Sequence, residues 1–281
     1  MLRFLNILSI AVLPLSVFAE EKFFDSNGVQ IHYYDRGSGE PVVLMHGFSG
    51  SAAIWDTLGF TDALIEAGYR VIAFDARGHG KSGKPHDPAQ YGMEMSDDIG
   101  RLLDHMDINK AHIVGYSMGA VFAHSFRATH PDRLLTAVLG GGGPTSEESI
   151  QRLKSVVDID AIARGALGPD LFVAPPGEQP PSQEQIDAMN KIRSNNDSQA
   201  LAALLRTDWS WMVDTVEELR SNEVPTLAII GEKDQNKKDL DAVSDDMANL
   251  EVFVIPGANH LYGLLGPALR EETMKFLAKK R

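Results

Sequence analysis

The chain has 281 residues, of which 43% are hydrophobic and 23% charged, with no cysteine and a formal net charge of −13. That length suits one large domain, and the composition suits a buried core and not a disordered chain. Such acidity, with no Lys/Arg cluster to offset it, argues against nucleic acid and anionic lipid as partners, since phosphates demand a basic face. Without cysteine, neither a disulfide staple nor a cysteine-linked lipid anchor can form.

Residues 1–19 read as an export signal. Arg3 gives a thin positive start, Phe4 to Phe18 form a mostly apolar run, and Val17 and Ala19 put small residues at cleavage-site spacing. The run is short for a bilayer span and is broken by Asn6, Pro14 and two serines. The expectation is therefore cleavage after Ala19, export to the periplasm or beyond, and no stable membrane anchor in the mature chain.

Phe23-Phe24 and Val29 to Tyr34 then flank Asn27-Gly28, the pattern of a hairpin with a tight turn. Pro41 to Met45 is a continuous apolar run, as expected of a strand covered on both faces. Helical spacing follows from Ile54 to Ala67, a strand from Arg70 to Phe74, and a helix from Met93 to Met106. A third buried strand, Ala111 to Val114, precedes a helix over Met118 to Thr129 and a strand over Leu134 to Leu139. The rhythm then breaks. From Pro144 to Glu223 there are only helical stretches (Ser146–Val157, Ser182–Ser194, Asp197–Leu205, Trp209–Arg220) around a proline-rich segment, Pro169 to Pro181. Strand Thr226–Ile230, helix Lys237–Met247, strand Val252–Ile255 and a last helix from Leu264 complete the chain. This alternation predicts an α/β fold, a mostly parallel central sheet flanked by helices. Its core comprises residues 20–143 and 224–281, with a helical cap over 144–223 inserted after the sixth strand.

Gly115-Tyr116-Ser117-Met118-Gly119 matches G-x-S-x-G between an apolar strand and a helix. On such a turn the serine hydroxyl projects at the sheet's carboxyl edge over a helix N-terminus, and the flanking glycines let strand and helix close around it. Ser117 is the candidate nucleophile. At this point the chain resembles the α/β-hydrolase superfamily, and within it the capped serine esterase and lipase-like group. The residues that carry the resemblance are His46-Gly47-Phe48, Asp75 to Ser82, the Ser117 turn, Gly231 to Asp234 and Gly257 to His260. The resemblance implies the α/β-hydrolase fold and the chain order Ser, Asp, His for the catalytic residues.

His260 follows the last strand and precedes the final helix at the same sheet edge as Ser117, which makes it the candidate base. Asp234 ends a loop just past Thr226–Ile230 and is the candidate acid, with Glu232 a close rival. The superfamily's other position for the acid is the loop after the preceding strand, here Gly140 to Gly143, which holds no carboxylate. For the oxyanion, Met118 offers the N–H of the residue after the nucleophile, and the resemblance assigns the second donor to the Phe48 N–H. Phe172, Trp209, Trp211 and Met212 are candidates to line a substrate pocket under the cap, or simply to form the cap's own core.

Two other patterns compete. Gly78 to Gly83 spells G-x-G-x-x-G, but Pro85 and Pro88 follow where a dinucleotide site needs a helix to open. The resemblance makes this a structural loop, with Asp75 and Arg77 bracing the sheet edge. His79 and His86 sit there on a flexible-looking loop with no third ligand, so neither a metal nor another cofactor is expected. Asn196-Asp-Ser198 is a sugar-acceptor sequon of the kind that arises by chance. The expected activity is hydrolysis of a small-molecule ester or related acyl bond through an acyl-enzyme. Thioesterase, peptidase and carbon–carbon bond hydrolase use the same residues, and a slow-turnover ligand-binding protein on this fold is the alternative outside catalysis.

Overall fold

The apolar runs become the strands of one sheet. The computed structural model describes residues 21–165, 183, 187, 191, 194 and 196–280. The strands are β1 (Lys22–Ser26), β2 (Val29–Gly37), β3 (Glu40–Met45), β4 (Tyr69–Phe74), β5 (Ala111–Tyr116), β6 (Leu134–Gly140), β7 (Thr226–Gly231) and β8 (Leu250–Ile255). They lie in the order β1-β2-β4-β3-β5-β6-β7-β8. Only β2 runs against its neighbours. The β1–β2 hairpin turns through Asn27 (φ 54°) and Gly28 (φ 83°), the two positive φ values that a type I′ turn requires.

Alternation along the central strands feeds two layers. Val43 and Met45 of β3 enter the layer of Ile99, Leu102, Phe122 and Phe126. Val42 and Leu44 enter that of Trp55, Phe60, Leu64 and Phe276. The first layer is built by α3 (Met93–His105) and α4 (Met118–Thr129), the second by α1 (Ala53–Thr57), α2 (Phe60–Glu66) and the C-terminal helix Ala268–Lys279. The single helix expected from Ile54 to Ala67 is two, because Gly59 between them takes the left-handed conformation at φ 63°.

Between β6 and β7 stand α5 (Glu147–Val156), α6 (Ile159–Ala163), α7 (Ser198–Arg206) and α8 (Val216–Ser221). The helix expected over Trp209–Arg220 is absent as one piece. Asp208 accepts the Ser210 N–H and starts a short 3-10 turn, Ser210–Met212. A capping box between Thr215 and Glu218 then opens α8 as a separate helix. After β7 come α9 (Lys237–Val243, one turn shorter than expected), α10 (His260–Leu265) and α11 (Ala268–Lys279). The last helix, expected from Leu264, begins at Ala268, because Gly266-Pro267 separates it from α10. The export signal, the whole proline-rich segment and most of the helix expected over Ser182–Ser194 lie outside the described residues.

This topology decides where chemistry can occur. β3 sits between β4 on one side and β5 on the other, so the direction of winding reverses there, and a crevice opens beyond the carboxyl ends of those strands. Met45 pairs with Gly115, which places the residues after β3 directly beside the Ser117 turn.

Candidate active site

Ser117 is the N-cap of α4, at φ 56° and ψ −119°. A non-glycine residue held at such an angle costs about 1–3 kcal/mol and persists only where its surroundings over-determine it. They do so here. The Ser117 N–H donates to the Gly140 carbonyl at 2.8 Å, and the Ser117 carbonyl accepts the N–H groups of Ala120 and Val121 at 2.9 and 3.1 Å. A Cβ on Gly115 would run into the Gly119 carbonyl, and one on Gly119 into the Met45 carbonyl. Both glycines are thus required by the close approach of helix to strand.

His260 is the first residue of α10, with Asn259 as N-cap accepting the Tyr262 N–H at 2.9 Å. Its Nε2 lies 2.8 Å from Ser117 Oγ, and its Nδ1 lies 2.8 Å from Asp234 Oδ2. The Asp234 carboxylate is fully buried, whereas a third of the His260 side chain is exposed. Its other oxygen accepts the Asn236 N–H at 2.9 Å, so both carboxylate oxygens have fixed partners. A carboxylate oxygen only accepts, so Asp234 Oδ2 requires the proton on Nδ1, and this leaves the Nε2 lone pair facing the Ser117 hydroxyl. Glu232, the rival, turns the other way and accepts the Gly257 N–H at 2.7 Å. None of the other eight histidines has such a partnership with Ser117. They pair instead with Asp75, Tyr33, Glu40, Asp214, Asp197, Thr129 or backbone carbonyls.

On the facing loop, His46 Nε2 accepts the Ala76 N–H at 3.1 Å, so Nδ1 carries the proton and donates to the Gly47 carbonyl at 2.8 Å. The Gly50 N–H reaches the same carbonyl at 3.0 Å. The Gly47–Phe48 peptide is trans and planar, so the Phe48 N–H points opposite to that doubly anchored carbonyl. A Cβ on Gly47 would sit 3.3 Å from Ser117 Cβ, a measure of how near this peptide lies to the serine. Met118 is the first helical residue of α4, and its N–H has no preceding turn to bond. The structure thus brings Ser117, His260, Asp234, Met118 and the Phe48 loop to one edge of the sheet.

A family model described as the alpha/beta hydrolase fold matches residues 40–267. The chain belongs to the alpha/beta hydrolase family. It is 35% identical over 182 residues to the 2-hydroxy-6-oxononadienedioate/2-hydroxy-6-oxononatrienedioate hydrolase of Escherichia coli (strain K12). The match spans 60% of this chain and 60% of that relative's length. Among solved structures it is similar to one from a study of carboxylesterases of Nitrososphaera gargenis (TM-score 0.77, 25% identity, 93% of this chain and 98% of that one). A bromoperoxidase from Bacillus anthracis has a TM-score of 0.72 and 25% identity, over 92% and 100% of the two chains.

In this alpha/beta hydrolase Tyr116 has a role that the sequence reading missed. Its hydroxyl donates to the His260 carbonyl, and its ring lies 5.4 Å from the imidazole. Burial, and after it the Asp234 carboxylate, push the phenol well above its ordinary range, so it stays a neutral donor. The sequence signal for it is the glycine run Gly140 to Gly143, which leaves room for the Tyr116 ring. A Cβ at Gly140 or Gly141 would come within 2.7 Å of the Tyr116 ring.

The loop after β4 is not the flexible element its composition suggested. His79 is wholly buried, its ring 5.2 Å from His46 and 5.9 Å from Phe48. Asp75 accepts from His32 Nδ1 (2.9 Å), the Ala52 N–H (2.7 Å) and the Lys81 N–H (2.8 Å), which ties three segments together. Arg77 makes a two-point contact with buried Asp98. Burial alone would raise the Asp75 carboxyl, but the His32 hydrogen bond, His46 and the two N–H groups outweigh it and bring it down to about 2. Burial, then the neighbouring His46, pushes His79 down to about 3. Burial likewise holds His46 below its ordinary value.

An unfolded histidine protonates near pH 6.5, and these two in the folded state do so only below it, so the unfolded chain binds more protons as pH falls. Their contribution is complete above about pH 6.5 and is lost as pH falls, for His79 progressively toward about pH 3; that of Asp75 goes between about pH 3.9 and 2. The melting temperature should therefore drop between pH 7 and 5, and His79→Asn, which keeps a donor near Nδ1, should make that drop shallower. A wild-type melting temperature flat across this interval contradicts the account.

Of the four candidate pocket residues, Phe172 lies outside the described residues. Trp209 is buried, and Trp211 and Met212 are partly buried against the core. Trp211 stacks on Phe122 of α4 at 5.4 Å and on Trp209 at 6.2 Å. His124 of α4 adds a 2.6 Å contact to Asp214. These contacts dock residues 209–214 onto α4.

Proposed function

We propose that this chain is a serine hydrolase cleaving a carboxylic ester, or a related acyl bond, of a small molecule through an acyl-enzyme. The support for this reading is the unbroken chain from Asp234 Oδ2 through His260 to Ser117 Oγ, both links 2.8 Å long. Ser117 Oγ attacks the carbonyl carbon while His260 Nε2 takes its proton, and ionised Asp234 stabilises the imidazolium that forms. The N–H groups of Met118 and Phe48 receive the developing oxyanion. The imidazolium then gives its proton to the leaving alkoxide. Water enters, transfers a proton to His260 and attacks the acyl carbon, and Ser117 departs with the proton returned. No cofactor takes part.

A second reading is favoured by the 35% identity to the Escherichia coli enzyme. The substrate in that enzyme's name is one unbroken carbon chain with a 6-oxo group and no ester, so its hydrolysis breaks a carbon–carbon bond. Steady-state turnover on p-nitrophenyl esters of varied acyl length, run beside a vinylogous 1,5-diketone acid, tests both. Turnover of esters alone supports the first reading and of the diketone alone the second. Turnover of neither, with tight stoichiometric binding, leaves a ligand-binding protein.

We also propose export, from the pattern of residues 1–19. N-terminal sequencing of protein from its native host should then begin at Glu20; soluble cytoplasmic protein beginning at Met1 refutes it.

A further inference from the structure

The geometry points to Asn196 as a positioning residue that seats the oxyanion loop from the segment inserted between β6 and β7. Its Nδ2 donates to the Ser49 carbonyl at 2.6 Å, and its Oδ1 accepts the Gly80 N–H at 3.0 Å. Residues 46–50 form the turn that carries the Phe48 N–H. Ser49, buried in that turn, sits at φ 57°. A serine in the left-handed region persists only where its neighbours hold it. The Gly47 carbonyl is held by His46 and Gly50, and the Ser49 carbonyl by Asn196. Phe48 therefore lies between two anchored carbonyls, one of which depends on a residue 147 positions away.

The clasp is rigid at both ends. Gly80 packs so closely on the Asp75 carboxylate that a Cβ there would collide with it, and the N–H of the next residue, Lys81, donates to that carboxylate. On the other side, Asp197 caps α7 by accepting the Gln199 and Ala200 N–H groups, and Ala200 to Leu204 are buried. The sequon is thereby explained without a sugar. Nδ2, the atom that a glycan would occupy, is used inside the fold.

The inference rests on the proposed role of the Phe48 N–H. It predicts that the inserted segment contributes to the chemical step, and not only to substrate binding. Asn196→Asp keeps an acceptor for Gly80 but places a carboxylate oxygen against the Ser49 carbonyl. Its kcat on the best ester should fall about 10–100-fold, the cost of misplacing an oxyanion donor, with KM changing by less than about threefold. Affinity for an arylboronic acid, which forms a tetrahedral adduct on the serine, should weaken in step with kcat/KM. Asn196→Ala, which removes both bonds without adding charge, should show the same split with a smaller loss, and it carries the test if the aspartate variant does not fold. Unchanged kcat and boronate affinity in folded variants overturns the inference, as does a lower melting temperature with full kcat. If Ser117→Ala still turns over esters, the parent reading fails instead. An inactive Ser117→Ala beside a wild-type-like Asn196→Asp rejects the Asn196 role alone.

Discussion

Ser117→Ala is expected to lower kcat/KM on carboxylic esters by about 10⁴–10⁶-fold, the loss seen when the nucleophile of such a linked set is removed. The fold should survive. Alanine is smaller than serine, and the backbone bonds to Gly140, Ala120 and Val121 that hold φ at 56° involve no side-chain atom. A residual rate above water would come from the Met118 and Phe48 donors and from substrate binding. In the wild type a fluorophosphonate should label one residue, and peptide mapping should find it at Ser117. Label incorporated with equal speed into the alanine variant would falsify the assignment.

Asp234→Asn is expected to cost about 10⁴-fold in kcat, the scale of trapping the wrong imidazole tautomer. Here the geometry dictates which tautomer results. The Asn236 N–H donates to Asp234 Oδ1 at 2.9 Å, and an asparagine must keep its oxygen there or leave a part-buried donor unpaired. Its NH2 group then faces His260 Nδ1, which must become an acceptor. The proton moves to Nε2, where it opposes the Ser117 hydroxyl. Glu232→Gln should change kcat less than about tenfold, because a glutamine oxygen can still accept the Gly257 N–H that Glu232 now holds at 2.7 Å. Reversed magnitudes in these two variants would mean that Glu232 is the working carboxylate.

The strands were legible because each needs only its own alternation or apolar run, and β3 to β7 match the expected segments to within about two residues. Ser117 was legible for a related reason: the steric demand of its turn falls on Gly115 and Gly119, its immediate neighbours. The helix breaks were harder. Gly59 stood inside a helical pattern that tolerates one glycine, and nothing in the local spacing marks the left-handed conformation it takes. At Thr215 the start signal was complete, threonine followed three residues later by Glu218, but the apolar spacing from Trp209 onward concealed it.

What the sequence determined by itself is the α/β rhythm, the serine turn and a histidine and a carboxylate at the same sheet edge as that turn. All of these follow from periodicity and from the steric needs of adjacent residues. Tertiary structure alone paired Asp234, and not Glu232, with His260, buried His79 in a loop that composition made look mobile, and gave Tyr116 and Asn196 their partners. The physical reason is that these outcomes depend on hydrogen bonds across the fold. His260 meets Ser117 over 143 positions and Asn196 meets Ser49 over 147, and a side chain's partner at such separations is set by how the strands order themselves in the sheet.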